Sequence, residues 1–296
     1  MQTKHIEAVS PAFSDHIIES SELIVVESGF RFIEGPVWDE RDQRLFFNDI
    51  KGNAIYLIDD KHGLRLFRDN SYLANGNTLD REGNLITCEH GTSRVSKTTR
   101  EGEYSVLTTS YDGKALNSPN DVIVRSDGLI LFTDPISGRG AGFGIPRAPE
   151  LDFMGVYSYD PKTEVTSLLI DDFSFPNGLC LSPDESLLYV NDTREQLIRV
   201  FDIDSSGNLS NGRLWAKFTE DLPGKADGLK IDSAGNIFST GPGGILVFSP
   251  EAELIGRIFV PEQAANFCWG GKDLKRLYIT ASTTLYRIDL GVAGRA

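Results

Sequence analysis

The chain has 296 residues, with 29 Lys and Arg against 43 Asp and Glu, and a formal net charge of −14. This balance repels phosphate backbones and anionic lipids, so nucleic acid is excluded as an expected partner. No apolar run approaches the roughly 20 residues that span a bilayer, and no membrane partner is expected. Because the first residues lack the apolar core of a secretory signal, we expect a cytoplasmic protein.

A short motif recurs six times between residue 34 and the C-terminal region. Each copy starts with a side chain that offers an oxygen atom, and a short apolar run and a turn follow. The intervals between the starting residues are 41, 45, 57, 50 and 39 residues, the length of a supersecondary unit. The copies start at Glu34, Asn75, Asn120, Asn177, Asp227 and Asn266. The repeat predicts a single domain over residues 1–296.

The predicted elements are short strands. Residues 1–20 have no clear period, and we expect an N-terminal tail or strap there. From Leu23 onward no stretch has the period of a long amphipathic helix. Each repeat instead contains runs rich in Val, Ile, Leu, Phe, Tyr and Thr, separated by turn clusters such as Ser126-Asp127-Gly128. Four strands per repeat and six repeats predict an all-β protein, a six-bladed β-propeller.

The two ends of the chain predict how the ring closes. The sixth repeat has its third run at Thr284–Leu290, and only six residues follow. A strand-like run, Glu22–Glu27, lies ahead of the first repeat. We expect this N-terminal strand to complete the last blade, because an unpaired outer edge would leave the ring easy to open.

The repeat also predicts a site. The first strand of each propeller blade lines the central channel, so the six starting residues are expected to surround one channel mouth. Carboxylates and amides without His or Cys suit one divalent cation, Ca²⁺ first, with Mg²⁺, Mn²⁺ and Zn²⁺ as alternatives. An Asn or Asp before Gly is also a common turn former, so the prediction depends on the shared register.

Several motifs between about residues 33 and 290 are similar to those of a known family. They include Glu34-Gly-Pro-Val-Trp38, Ser118-Pro-Asn-Asp121, Phe132-Thr-Asp-Pro135, Pro176-Asn-Gly-Leu179 and Ala226-Asp-Gly-Leu229. Together they resemble the gluconolactonase and regucalcin-like (senescence marker protein) family of calcium-dependent lactonase propellers. The resemblance implies metal ligands at Glu34, Asn120, Asn177 and Asp227, which leaves Asn75 and Asn266 for water or substrate. The regucalcin branch binds its sugar through an Arg where this chain has Ser118.

Other candidate substrate contacts lie outside the ring. Glu89 and His90 follow the second strand of the second repeat, where a loop facing the substrate could begin, although a lone His there is more often structural. The longest interval contains a Gly- and Pro-rich insertion at residues 136–153. We expect it to be a lid or wall over the channel mouth rather than a plain mobile loop, with Phe143 and Arg147 touching the ligand.

These features predict a metal-dependent hydrolase that opens a sugar 1,5-lactone, such as gluconolactone, to the aldonic acid. No Gly-x-Ser-x-Gly or Walker motif supports serine catalysis or nucleotide binding. We expect Asp227 to position or deprotonate the attacking water, with a covalent aspartyl route as the alternative. Two other functions stay open, a phosphotriesterase resembling diisopropyl fluorophosphatase and a non-catalytic propeller that binds calcium or a partner protein.

Overall fold

The computed structural model describes residues 5–18, 21–204 and 207–295. Strands of two to nine residues form most of the fold. Within the described ranges the helices are two short 3₁₀ helices, Pro11–His16 and Ser137–Arg139. Neither is long and apolar enough to cross a membrane.

The strands follow one another blade by blade. Two precede the first blade, β1 (Ile6–Ala8) and β2 (Ile24–Ser28). Blade 1 contains β3 (Ile33–Asp39), β4 (Arg44–Asp49), β5 (Ala54–Asp59) and β6 (Gly63–Asp69). Blade 2 contains β7 (Ala74–Leu79), β8 (Leu85–Glu89), β9 (Arg94–Thr98) and β10 (Tyr104–Thr108). A small hairpin, β11 (Ser110–Tyr111) and β12 (Lys114–Ala115), leads to the next blade.

The second half of the chain repeats this order. Blade 3 contains β13 (Val122–Val124), β14 (Ile130–Asp134), β15 (Met154–Asp160) and β16 (Val165–Phe173). Blade 4 contains β17 (Pro176–Leu181), β18 (Leu187–Asp192), β19 (Leu197–Ile203) and β20 (Leu209–Lys217). Blade 5 contains β21 (Leu229–Ile231), β22 (Ile237–Gly241), β23 (Gly244–Phe248) and β24 (Leu254–Phe259). Blade 6 contains β25 (Ala264–Gly270), β26 (Arg276–Ala281) and β27 (Thr284–Asp289).

Each blade is an antiparallel sheet that runs from an inner strand at the channel to an outer strand at the surface. The inner strand β17 is buried along its whole length, whereas the outer strand β6 is largely exposed. Apolar side chains fill the space between neighbouring blades. Ile86 of blade 2, for example, packs with Phe132 and Tyr157 of blade 3, whose rings stack 5.4 Å apart. The predicted all-β, six-bladed propeller is confirmed.

The N-terminal strand closes the ring as predicted. Strand β2 pairs antiparallel with β27, with Ile24 opposite Arg287 and Ser28 opposite Thr284. Blade 6 therefore takes its outer strand from one end of the chain and its other three strands from the opposite end. This pairing covers the edge that β27 would otherwise expose.

Residues 5–18 form a strap rather than a tail. Strand β1 adds a fifth strand to blade 5, where Ile6 lies opposite Ile258 of β24. The fully buried ring of Phe13 lies on Gly256, where a Cβ atom would come within 2.3 Å of it. The remaining positions of the predicted N-terminal segment, 1–4 and 19–20, lie outside the described residues.

Candidate metal and substrate site

Four of the six repeat-start residues lie in inner strands, and Asn120 and Asp227 lie two residues before theirs. Backbone hydrogen bonds join neighbouring blades beside these residues. The N–H of Gly76 donates to the carbonyl oxygen of Asn120 at 2.8 Å, and the N–H of Gly178 donates to that of Asp227 at 2.9 Å. A third such bond, also 2.8 Å long, runs from Gly228 to Ala265. The ring of side chains thus follows from the register between blades.

The glycine after each of four ring residues permits this close approach. Gly35 has a left-handed φ of 57°, and a Cβ atom there would lie 1.9 Å from the carbonyl oxygen of Asn75. A Cβ atom at Gly178 would lie 2.2 Å from the carbonyl oxygen of Asp227. In this chain the glycines of the recurring Asn-Gly and Asp-Gly pairs therefore allow neighbouring inner strands to approach closely. They do not form hairpin turns.

Two carboxylates share the ring. Glu34 is 4% exposed, and burial, reinforced by the charge of Asp121, raises its pKa to about 7. Its Oε2 atom accepts a hydrogen bond of 2.5 Å from the N–H of Gly35. Burial and repulsion from Glu34 raise the pKa of Asp227 well above its usual range. Two carboxylates that repel each other in a buried space fit a cation placed between them.

The two amide ligands predicted by the resemblance are oriented by neighbouring hydroxyl groups. Nδ2 of Asn177 donates to Oγ1 of Thr193 at 3.0 Å, and that hydroxyl donates to the carbonyl oxygen of Ala226 at 2.6 Å. Nδ2 of Asn120 similarly donates to Oγ of Ser137 at 3.3 Å. With both NH₂ groups held in this way, both amide oxygens are left to accept from, or to bind, a ligand.

Asn266 is placed differently. Its Oδ1 accepts from the N–H of Phe267 at 2.9 Å, and its side chain hydrogen-bonds the carboxylate of Glu34. It therefore supports Glu34, and its amide oxygen is already in use.

The orientation of the Asn75 side chain is set by a hydrogen bond to His90. Nδ1 of His90 lies 3.1 Å from the carbonyl oxygen of Phe143, so Nδ1 carries the proton and Nε2 accepts from Nδ2 of Asn75 at 3.0 Å. Burial lowers the pKa of His90 to about 4, which keeps the ring neutral near pH 7. Oδ1 of Asn75 is buried and has no hydrogen-bond partner among the described residues, so it is a candidate acceptor for a substrate hydroxyl or water.

The insertion at residues 136–153 is a fixed wall across blades 1 to 3. Arg139 donates to the carbonyl oxygen of Asn117 at 2.8 Å, and Arg147 donates to that of His90 at 2.7 Å. The ring of Phe143 lies edge-on to Phe32 of blade 1, with centroids 4.8 Å apart. The insertion thus has the wall geometry that its length and position predict.

Two of the predicted substrate contacts, Arg147 and Glu89, are occupied by contacts within the protein. Both terminal nitrogens of Arg147 donate to oxygens of the protein, those of Gly138 and Ile145 on one side and those of His90 and Ser93 on the other. Arg147 therefore fixes the wall.

Glu89 does not join the ring. Its fully buried carboxylate accepts from Ser96 at 2.6 Å and from Tyr104 at 3.0 Å, and it pairs with Arg94 at 2.5 Å. These partners belong to the outer half of blade 2. Successive side chains of a strand point to opposite faces, so Glu89 points away from the mouth that His90 faces. The interpretation of Glu89 as a substrate contact disagrees with this placement.

Ser118 occupies the place of the sugar-binding Arg of the regucalcin branch. It is fully buried, its hydroxyl donates to the carbonyl oxygen of Pro135 at 2.5 Å, and it accepts from the N–H of Gly138 at 2.9 Å. Ser118 therefore anchors the start of the wall, and any sugar contact has to come from other groups.

Beyond the ring the channel opens into a cavity of about 370 Å³, which is lined by inner-strand residues including Asn77, Cys180, Lys230 and Cys268. The three cysteines of the chain are buried free thiols. Across the channel, Nζ of Lys230 lies 3.3 Å from Oδ2 of Asp121. Spacing between repeats indicates no role for Asp121 or Lys230, and the available signal in the sequence is the acidic residue directly after Asn120.

The donor set limits how a cation could be held. Over residues 5–18, 21–204 and 207–295, no three His, Cys, Asp or Glu side chains form a group that could bind a metal ion. A cation at the ring would therefore depend on amide, backbone or water oxygens beside the carboxylates of Glu34 and Asp227. Oxygen donors of this mixed kind are those that calcium accepts.

The chain is thus a six-bladed propeller with a polar site at one mouth of its central channel. Carboxylate and amide side chains form that site. The chain belongs to the family described as the SMP-30/Gluconolactonase/LRE-like region, whose model matches residues 32–283. The resemblance found in the motifs is thereby confirmed.

Several relatives of the chain carry lactonase names. A gluconolactonase of Zymomonas mobilis is 31% identical, over 96% of this chain and 85% of that protein. A pentonolactonase of Haloferax volcanii is 26% identical, over 92% and 95%. The solved structure of a gluconolactonase from Xanthomonas campestris superposes with a TM-score of 0.90 at 31% identity, and covers 97% of this chain and 95% of its own.

Proposed function

We propose that the chain is a metal-dependent hydrolase that opens a sugar 1,5-lactone, gluconolactone or a close relative, to the aldonic acid. The observation that carries the proposal is the arrangement of the ring. Its two carboxylates repel each other, and the amide NH₂ groups of Asn120 and Asn177 are held by hydroxyls. Relatives named gluconolactonase and pentonolactonase support the lactone as the substrate class.

Glu34, Asn120, Asn177 and Asp227 would hold the divalent cation, with Ca²⁺ as the first candidate. When bound, such a cation polarises a carbonyl oxygen and makes a water molecule more acidic. The chain's own residues then have separate tasks. Asn75, oriented by His90, offers its free amide oxygen to a sugar hydroxyl, and the wall around Phe143 closes one side of the mouth.

Asp227 is the proposed general base. It is partly exposed, whereas Glu34 is buried, so water can reach Asp227. Its backbone N–H donates to Oγ1 of Thr240 at 2.9 Å, which fixes its position. Asp227 takes a proton from water as the water oxygen bonds to the carbonyl carbon. The ring C–O bond then breaks, and the leaving oxygen receives that proton.

A covalent route, in which Asp227 itself attacks the carbonyl, is the alternative mechanism. Single-turnover hydrolysis in oxygen-18 water separates the two, followed by mass spectrometry of the peptide that contains Asp227. Direct attack by water leaves the aspartate unlabelled, and label in the aspartate would establish the covalent route.

One set of assays tests the function. Acid release is measured from gluconolactone and from diisopropyl fluorophosphate, with and without chelator and after adding back Ca²⁺, Mg²⁺, Mn²⁺ or Zn²⁺. We expect lactone hydrolysis that chelator abolishes and a divalent cation restores. Faster release from the fluorophosphate would indicate the phosphotriesterase, and no release from either would indicate a binding propeller.

A further inference from the structure

One ion pair crosses the channel beside the ring. Nζ of Lys230 lies 3.3 Å from Oδ2 of Asp121. Asp121 directly precedes the inner strand of blade 3 and Lys230 lies in that of blade 5, so the pair spans the width of blade 4. The Asp121 side chain is 3% exposed and that of Lys230 is 22% exposed. Shielding from water makes such a pair electrostatically stronger than an exposed one.

The charges of this pair reach the ring carboxylates. Burial raises the pKa of Glu34, Asp121 adds to the rise and Lys230 opposes it. Burial, Glu34 and Asp121 together raise the pKa of Asp227. Asp121 and the two ring carboxylates therefore share one electrostatic environment. The exposed Lys225 opposes the rise in the pKa of Asp227, and Lys230 is the positive charge on the channel side.

Lys230 also acts on residues of the blades on either side. Burial raises the pKa of Cys180 in blade 4 to about 12, and Lys230 opposes the rise. Burial likewise raises the pKa of Cys268 in blade 6, again opposed by Lys230. An ammonium group whose charge reaches blades 3, 4 and 6 lies well inside the channel.

Asp121 is not available as a direct metal ligand in this arrangement. Its Oδ2 pairs with Lys230, and its Oδ1 accepts from the N–H of Val122 at 2.9 Å. An ammonium group has three donors and no lone pair, so Lys230 cannot bind a cation either. Both residues therefore act on the ring through their charge.

From this geometry we infer that Lys230 is an internal counter-ion that matches the channel to a divalent cation. The inference rests on the metal site proposed above. Three carboxylates, those of Glu34, Asp121 and Asp227, bring three negative charges, and Lys230 offsets one of them. Two remain, which a divalent cation neutralises. Without Lys230 the same space would have three uncompensated negative charges and would favour a trivalent ion.

Metal titrations of charge variants test this inference. Lys230→Met should raise Ca²⁺ affinity about tenfold, and should raise Tb³⁺ affinity by a larger factor, because a nearby positive charge is gone. Asp121→Asn should lower Ca²⁺ affinity about tenfold. The double variant should return to within about threefold of wild type, since one charge of each sign is removed. Calorimetry measures Ca²⁺ binding, and luminescence measures Tb³⁺ binding.

Two control variants accompany these measurements. Lys217→Met removes an exposed lysine from the outer strand of blade 4 and should leave both affinities unchanged. Lys230→Arg keeps the charge and should keep the wild-type preference for Ca²⁺ over Tb³⁺. If Lys230→Met fails to fold, Lys230→Gln is measured in its place.

A second measurement needs no metal. In chelator, Lys230→Met should unfold several degrees below wild type, because the carboxylates lose their counter-ion, and the double variant should recover most of the loss. Equal loss of Ca²⁺ affinity in both single variants would overturn the inference in favour of a purely structural bridge. Wild-type protein that binds neither Ca²⁺ nor Tb³⁺ would overturn the metal site of the proposed function, and the counter-ion inference with it.

Discussion

The channel mouth has a walled half and an open half. On the walled side, the insertion at residues 136–153 contacts Asn120 directly, Asn75 through His90, and Phe32 next to the strand that carries Glu34. On the open side, Asn177, Asp227 and Asn266 are held by hydroxyl and backbone groups of their own and neighbouring blades. Each half contributes one carboxylate, and only Asp227 is partly exposed. Two carboxylates at related repeat positions thus have different surroundings, which suit them to different tasks.

The largest effect should come from the open half. Asp227→Asn should lower kcat about a thousandfold, because the amide cannot take a proton from water. Metal affinity should fall by a much smaller factor than turnover. Steady-state kinetics at saturating Ca²⁺, with calorimetry on the same samples, measure both. A variant that keeps most of its turnover would restrict Asp227 to a role in metal binding.

The second prediction concerns the carboxylate of the walled half. Glu34→Gln should weaken Ca²⁺ binding about a hundredfold, because a full charge is replaced by a dipole. Asn266→Ala serves as the matched control and should weaken binding about threefold, since Asn266 supports Glu34 without offering its amide oxygen. Equal affinity in the two calorimetric titrations would contradict the four-residue ligand set.

His90 makes the walled half sensitive to acid. Its pKa falls from 6.5 to about 4 on folding. Between pH 4 and 6.5, His90 is therefore protonated in the unfolded chain and neutral in the folded protein. Stability should therefore fall as pH drops from 6.5 to 4, by about 3 kcal/mol in all. Glu34 contributes with the opposite sign, because its pKa is raised on folding.

The measurement is therefore a difference between variants. Urea unfolding of wild type and of His90→Asn is followed across this pH range, and the gap between the two curves isolates the histidine. His62→Asn, at an exposed histidine that pairs with Asp59, is the control and should change the wild-type dependence much less. Parallel curves for wild type and His90→Asn would contradict a neutral His90.

The smallest effect should come from the wall itself. Phe143→Ala removes the ring that contacts Phe32 and should raise KM about threefold with little change in kcat, since the wall positions substrate and takes no part in proton transfer. Ile145→Ala, at an exposed position of the same wall, is the control. Equal KM values in all three proteins would remove the wall from substrate binding.

Periodicity in the sequence predicted the features that repeat. The ring residues recur at blade intervals, so their spacing predicts their positions. The closing strand Ile24–Ser28 was predicted because the sixth repeat lacks a fourth strand. The prediction that Glu89 contacts substrate was wrong, because its side chain points into blade 2. Neighbouring residues of a strand point to opposite faces, and the spacing between repeats carries no information about which face a side chain takes.

Contacts that occur once could not be predicted in this way. Thr193 orients Asn177 from the end of the next strand, and Lys230 meets Asp121 across a whole blade. The N-terminal strap depends on two separated apolar residues, Ile6 and Phe13, whose spacing matches no regular period. Each of these contacts depends on how blades face one another, which three-dimensional packing determines.

The closure of blade 6 has a consequence for the synthesis of the protein. Strand β2 is synthesised before blades 1 to 5, but its partner β27 is synthesised after them. The ring cannot be completed until β27 has been synthesised, and until then the partly built blades keep an open edge. Until β27 pairs with it, the open edge of β2 can pair with strands of other chains, so a nascent chain at this stage is prone to aggregation.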